Sequence, residues 1–254
     1  MATVICPYVF EEEIGRVKQA YWELPFMFER DDSRIGSDLM FEKMWKQCEG
    51  DIIIFHADMN HHEDDIPTLW FEELCEYAEQ YPEAGMIGAK LLYPAKNDAE
   101  NYWIESAGGK FDEEGNPTHF GSGLDIASGK FFKEPEEDTG QYDHVREVAW
   151  TTFGGVYIRR EVLNQVGDFD RSFEWTYNRD VNYCMHAREK GWKIYQVPTR
   201  IMHLQSADNK RIASPQNREA ELRNLHRVKE TWQDTEYWKT LNEKIQYYKL
   251  DNSF

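Results

Sequence analysis

Three things are scarce in this sequence. Cysteine is one: four residues in 254, Cys6, Cys48, Cys75 and Cys184, far apart and without a C-x-x-C pair. That argues against a disulfide framework or a cysteine zinc site and for reduced thiols in a cytosol. Positive charge is another: 29 Lys and Arg face 47 Asp and Glu, giving a net charge of −18. Non-specific binding to nucleic acid or to anionic lipid needs the opposite balance. A local basic patch stays open, because the C-terminal part is less acidic than the rest. Long apolar runs are the third absence, since none approaches the ~20 residues of a membrane span. The opening Met1-Ala2-Thr3-Val4-Ile5-Cys6-Pro7 has neither the basic stretch nor the apolar region of a secretory leader. The expectation is a soluble, cytoplasmic protein with no membrane span.

Aromatic residues are plentiful at 15%, nine of them Trp, and apolar residues reach 41%. Such a chain can pack a core, so disorder is excluded. A mean hydropathy of −0.77 assigns the polar residues to its surface. The length suits one full-sized core.

Strand and helix patterns alternate through the first half. A short strand, Thr3–Tyr8, precedes a helix over 11–23 with Ile14, Val17, Ala20 and Tyr21 on one face. Phe26-Met27-Phe28 predicts a strand, and Leu39, Met40, Met44 and Trp45 stripe a second helix. Asp51–Phe55 is an apolar strand, Pro67–Tyr81 a helix and Gly85–Tyr93 a further strand. This alternation predicts an α/β fold with a largely parallel sheet, whose ligands bind beyond the carboxyl ends of the strands. Residues 95–148, rich in Gly, Asp, Glu and Asn, read as hairpins and long loops. A second ordered block follows: strand 155–158, helix 160–166, helix 179–190 and strand 192–197. From Pro215 the chain reads as an amphipathic helical tail. Without an internal repeat or a clear linker, the organisation expected is one domain over 1–214 and a helical extension over 215–254. The stripe Leu222, Leu225, Val228 and Trp232 should pack on that domain or on a second subunit of a homodimer.

The most chemically loaded stretch follows Phe55: His56-Ala57-Asp58-Met59-Asn60-His61-His62-Glu63-Asp64-Asp65. A solvated acidic loop is one reading. A hydrolytic metal site from His56, Asp58, His61 and His62 is a second, although the H-E-x-x-H spacing is absent. The third is a pair, His56 and Asp58, at the end of a buried strand. Alternate strand residues share a side, so both can face one ligand. A hard divalent ion bridging a diphosphate needs only one or two protein ligands.

The second block carries an ordered set: Gly154-Gly155-Val156-Tyr157-Ile158-Arg159-Arg160-Glu161-Val162, then Gly167-Asp168-Phe169-Asp170, then Tyr177-Asn178-Arg179-Asp180-Val181-Asn182. Gly191-Trp192, Val197-Pro198 and His203 complete it. With Gly85–Tyr93, Ser106-Ala107-Gly108-Gly109 and the Arg218–Trp232 tail, this set resembles the inverting GT-A glycosyltransferases of family 2, especially their rhamnosyltransferase-like branch. The resemblance spans about 51–232.

The resemblance implies a single GT-A (Rossmann-like) domain that moves a sugar from a nucleotide-diphosphate sugar, a UDP-sugar first, to an acceptor hydroxyl on a glycan. It implies Mn2+ (or Mg2+) held at Asp58 and His203, with His56 on the donor side. Pro7 and Tyr8 match the strand end that contacts the base, and one of Asp31 and Asp32 the acidic residue that recognises uracil or ribose. Asp180 matches the catalytic base, and Gly154, Trp175 and Tyr177 the acceptor side. The helix dipole at Asp180, reinforced by Arg179 if it turns inward, should keep that carboxylate ionised. His56 stands where the family's D-x-D begins, and Arg179 and Asn182 replace acidic residues of its E-D-x-D. Taken singly, Asp180 reads as a helix cap and His203 as a structural histidine. Two other functions compete with the transferase: a catalytically degenerate binding protein that kept the fold, and a transferase acting on a modified nucleic-acid base, which the net charge disfavours.

Overall fold

The computed structural model describes residues 2–94, 102–122, 124–125, 130–131, 134–174, 178–204, 215–236, 238–239 and 241. Its elements run β1 (Thr3–Tyr8), α1 (Glu11–Ala20), β2 (Phe26–Arg30), α2 (Ser37–Trp45), β3 (Ile52–Ile54), β4 (Met59–His61), α3 (Leu69–Gln80) and β5 (Ala84–Tyr93). Next come β6 (Trp103–Ser106), β7 (Gly109–Phe111), β8 (Pro117–His119), β9 (Leu124–Asp125), β10 (Lys130–Phe131) and β11 (Arg146–Glu147). The chain continues with β12 (Val156–Ile158), α4 (Arg160–Val166), α5 (Arg179–Glu189), β13 (Lys193–His203) and α6 (Pro215–Trp232).

The central sheet has the order β11-β13-β5-β12-β3-β1-β2, with β4 added beside β13 and β6 beside β5. β2, β1, β3, β5 and β13 run in one direction, and β12 runs against its neighbours β3 and β5. Helices cover both faces, so the central strands β1, β3 and β12 are buried along nearly their whole length. Ile52 and Ile54 point into one core with Met86, Val156 and Ile158, closed by α2, α4, α5 and α6. Ile53 and Phe55 point into the other with Val4, Cys6, Ile87 and Tyr157, closed by α1 and α3. The period-two alternation of a strand thus serves two cores at once.

Arg159 and Arg160 serve the scaffold. Arg159 donates to the carbonyls of Ala84, Ala78 and Tyr81, and Arg160 to those of Gly50 and Trp45. Both satisfy carbonyls at helix C-termini, where cations are favoured.

Two expectations about the C-terminal half change. The last strand does not end at Val197: β13 passes through Pro198 by a register shift between Val197 and Arg200 and reaches His203. A bulge is where a strand tolerates proline. On α6, Leu225, Val228 and Trp232 are buried, but Leu222 is 44% exposed. At 3.6 residues per turn Leu222 lies about 80° from Trp232 around the helix. The inward positions of that turn are Glu221 and Asn224, and Asn224 clasps the backbone of Glu174, accepting from its N–H and donating to its C=O.

Candidate active site

Three strands converge where β5 ends. β13 carries His203 opposite Met59 of β4 on one side, and pairs Met202 with Leu92 of β5 on the other. Beyond β5, β6 sets Ser106 against Leu91 and Ile104 against Leu92. Ile104 and Ser106 are buried, so the intervening Glu105 faces the opposite side.

On that side Asp58, just before β4, approaches His203, with His203 Nε2 3.2 Å from Asp58 Oδ2. The other ring nitrogen, Nδ1, lies 2.9 and 2.8 Å from the two Glu105 oxygens. The Asp58 and Glu105 side chains are each 18% exposed and that of His203 23%. Burial alone would push the His203 imidazole down, but Glu105 and Asp58 outweigh it and hold it well above its ordinary range. For Asp58, burial is outweighed by the hydrogen bond and charge of His203 and by His56, which bring the carboxyl down to about 2. Leu204 N donates to Asp58 O at 2.9 Å, fixing the backbone of this junction.

His56 lies alongside, its ring 6.4 Å from that of His203 and edge-on to Phe41 at 5.1 Å. His61 and His62 turn elsewhere. Tyr21 OH is 3.1 Å from His61 Nδ1, and the buried His62 ring packs on Tyr102 at 4.4 Å. Among the described residues no three His, Cys, Asp or Glu side chains converge as a ready-made metal cage, so the hydrolytic four-residue reading finds no support. Asp58 and His203 do fit one divalent ion. Their 3.2 Å separation is close to the about 3 Å between adjacent ligands of an octahedral ion.

Asp180 sits in the first turn of α5, where its Oδ1 accepts from Val181 N at 2.8 Å. Burial pushes its carboxyl up to about 7, against the lowering by that N–H. Desolvation therefore outweighs the stabilisation from backbone N–H groups at this helix start, against the expectation of an ionised carboxylate. Arg179 does not serve Asp180 either. Its guanidinium turns to Phe173 O and to the buried Asp38 of α2, with Nη1 3.8 Å from Asp38 Oδ2. Burial lifts the Asp38 carboxyl well above its usual range against the pull of Arg179, and Asp180 adds to the rise. Asn182 likewise faces the scaffold, accepting from Trp232 Nε1 at 2.9 Å. Helix α2 thus links the two halves of the site: Asp38 meets Arg179 beside Asp180, and Phe41, one turn on, meets His56.

At the far strand ends, Pro7 is buried within β1, whereas Tyr8 is half-buried and its OH donates to Glu11 Oε1 at 3.0 Å. Asp31 is buried, and its two oxygens accept from Ile35 N and Gly36 N at 3.0 and 2.9 Å. Asp32 pairs with Arg30 at 3.3 Å in the open. Gly154, expected on the acceptor side, packs against β4. It is buried, and a Cβ there would lie 2.3 Å from Met59 Cε, so the glycine admits the β4 side chain. Trp175 and Tyr177 lie outside the described residues.

Sequence reasoning missed Glu105. The only signal was its position directly before Ser106-Ala107-Gly108-Gly109, and nothing in that spacing points a carboxylate at a histidine 98 residues away.

No protein-family profile matches the chain. Over 179 residues, 67% of the chain, it is 26% identical to the O-antigen biosynthesis protein RfbC of Myxococcus xanthus. Over 195 residues, 75% of the chain, it is 23% identical to the uncharacterized protein y4gI of Sinorhizobium fredii. The matches span only 12% and 19% of these relatives' lengths. Among solved structures, GalNAc-T7 with UDP, GalNAc and Mn2+ superposes with a TM-score of 0.59 at 14% identity, covering 94% of this chain and 43% of the other. Strand order, two-sided helical cover and this superposition agree: the chain has the α/β fold of the GT-A glycosyltransferases.

Proposed function

We propose that the chain is a metal-dependent inverting glycosyltransferase of the family 2 type, moving a hexose or pentose from a UDP-sugar to an acceptor hydroxyl, with a glycan as the acceptor. The observation that carries this reading is the meeting of Asp58 and His203, 145 residues apart, at the strand ends where α/β sheets bind ligands. Similarity to an O-antigen biosynthesis protein and to a fold solved with UDP and Mn2+ supports it. A divalent ion held by Asp58 and His203 would neutralise the charge that develops on the leaving diphosphate.

The chain's own residues supply the remaining chemistry. Asp180, with a carboxyl near 7, is matched to accept a proton at neutral pH, where a general base is most effective. It takes the acceptor hydroxyl proton as that oxygen attacks the anomeric carbon. The bond from that carbon to the diphosphate oxygen breaks, UDP leaves with the electron pair, and the configuration inverts. Arg179 and Asn182, which depart from the family pattern, are engaged by Asp38 and Trp232 and leave Asp180 as the carboxylate of that segment.

The test is release of UDP from UDP-sugars with Mn2+ and no acceptor, because active transferases leak slowly to water. Release that disappears in Asp180→Asn supports the reading. Tight UDP binding with no release from any UDP-sugar would assign the chain to the degenerate binders instead.

A further inference from the structure

Glu105 has no part in the chemistry above, yet it spends a half-buried carboxylate on one imidazole. Both of its oxygens lie within 2.9 Å of His203 Nδ1. It does so from two strands away, reaching from β6 across β5 to β13, while Asp58 approaches Nε2 from β4 on the other side. The two ring nitrogens point in different directions, so a single ion cannot take both Glu105 and His203 Nε2 as ligands. What a carboxylate at Nδ1 can do is hold the Nδ1–H, so that the proton given up to an incoming metal ion is the one on Nε2, beside Asp58. Carboxylate–histidine–metal arrangements owe their tautomer and ring orientation to this kind of contact.

The backbone on both sides of Glu105 is held firmly, with Ile104 N donating to Glu136 O at 2.8 Å. Ala107 N donates to Phe120 O at 3.0 Å and Gly109 N to Trp150 O at 2.8 Å. A Cβ on Gly109 would lie 2.1 Å from the Trp150 ring, so backbone and indole are in direct contact. An orienting group is effective when its own support is rigid.

We infer that Glu105 is a positioning residue that fixes the tautomer and aim of His203 for divalent metal binding. This rests on the reading of Asp58 and His203 as the metal pair. The experiment is Mn2+ titration of the full chain followed by the free-ion electron paramagnetic resonance signal, with and without UDP, in wild type, Glu105→Ala, Glu105→Leu, Glu105→Gln and His203→Ala. Loss of the carboxylate in the Ala and Leu variants should weaken Mn2+ binding about 10–100-fold. Glu105→Gln, which keeps an acceptor oxygen, should fall between these and wild type. UDP affinity without metal should be unchanged in the three Glu105 variants, a result that general damage to the fold would not give. In the Mg2+-loaded protein, nitrogen NMR of His203 should show the proton on Nδ1 in wild type and lose that preference in Glu105→Leu. Wild-type Mn2+ affinity in both the Ala and Leu variants, alongside loss in His203→Ala, would overturn the role of Glu105 and leave the metal pair standing. A wild-type chain that takes up no Mn2+ with or without UDP would overturn the metal pair itself.

Discussion

Replacing Asp180 by Asn separates stability from catalysis in a way the burial of this carboxyl dictates. The folded chain holds the Asp180 carboxyl at about 7, whereas in the unfolded chain an aspartate titrates near ~3.9. Between about pH 4 and pH 7 the native state therefore carries a proton that the unfolded state has lost, and wild-type stability falls as pH rises through that window. A gap of about three pH units at about 1.4 kcal/mol each gives a loss of about 4 kcal/mol, as an upper figure for a partly exposed group. Asn keeps the size of the side chain and an oxygen for Val181 N, but carries no proton to lose. Urea unfolding of both proteins at intervals from pH 4 to pH 8 should show the variant gaining several kcal/mol on wild type across the window, while transfer falls by ~10²–10⁴-fold. In the wild type, kcat should rise with pH through about 7. Parallel stability curves for the two proteins would refute the burial argument, and undiminished transfer would refute the base.

Lys90 is 1% exposed and bridges Asp138 and Asp143 at 2.8 and 2.5 Å. Lys90→Ala leaves two carboxylates without their buried partner and should cost about 3–5 kcal/mol by denaturant unfolding. Trp232 is buried, donates to Asn182 Oδ1 and lies against His186 at 4.8 Å. Trp232→Ala should destabilise the chain by about 3–5 kcal/mol, and truncation after Ser214 should leave an insoluble fragment. A fully soluble, equally stable fragment would contradict the packing of α6.

The elements that sequence reading located are those whose periodicity answers to a core. β3, α4 and α5 fall where their apolar residues place them, because Ile52–Ile54, Val162, Leu163, Val181 and Met185 have no polar alternative use. β4 was hidden, since Met59-Asn60-His61 shows neither alternation nor β-branching and becomes a strand only by pairing with Ile201, Met202 and His203. β13 was cut short at Pro198 because a bulge cannot be told from a strand end in one sequence. The juxtaposition of Asp58 and His203 could be drawn from family resemblance; the residues alone did not dictate it. Glu105 was out of reach, as its contact depends on the register of three strands. The ionisation of Asp180 differs from the sequence expectation for a related reason. A helix terminus is legible in sequence, whereas the desolvation that overrides it is a property of the packed fold.

The central claim is that Asp58 and His203 hold a divalent ion against a nucleoside diphosphate. It is tested most directly by thermal unfolding of wild type and Asp58→Ala with UDP, in the presence and absence of Mn2+. A ligand at 100 times its Kd stabilises the native state by about 2.7 kcal/mol. Mn2+ should enhance UDP stabilisation in wild type and add nothing in Asp58→Ala. An equal manganese-dependent gain in both proteins would contradict it.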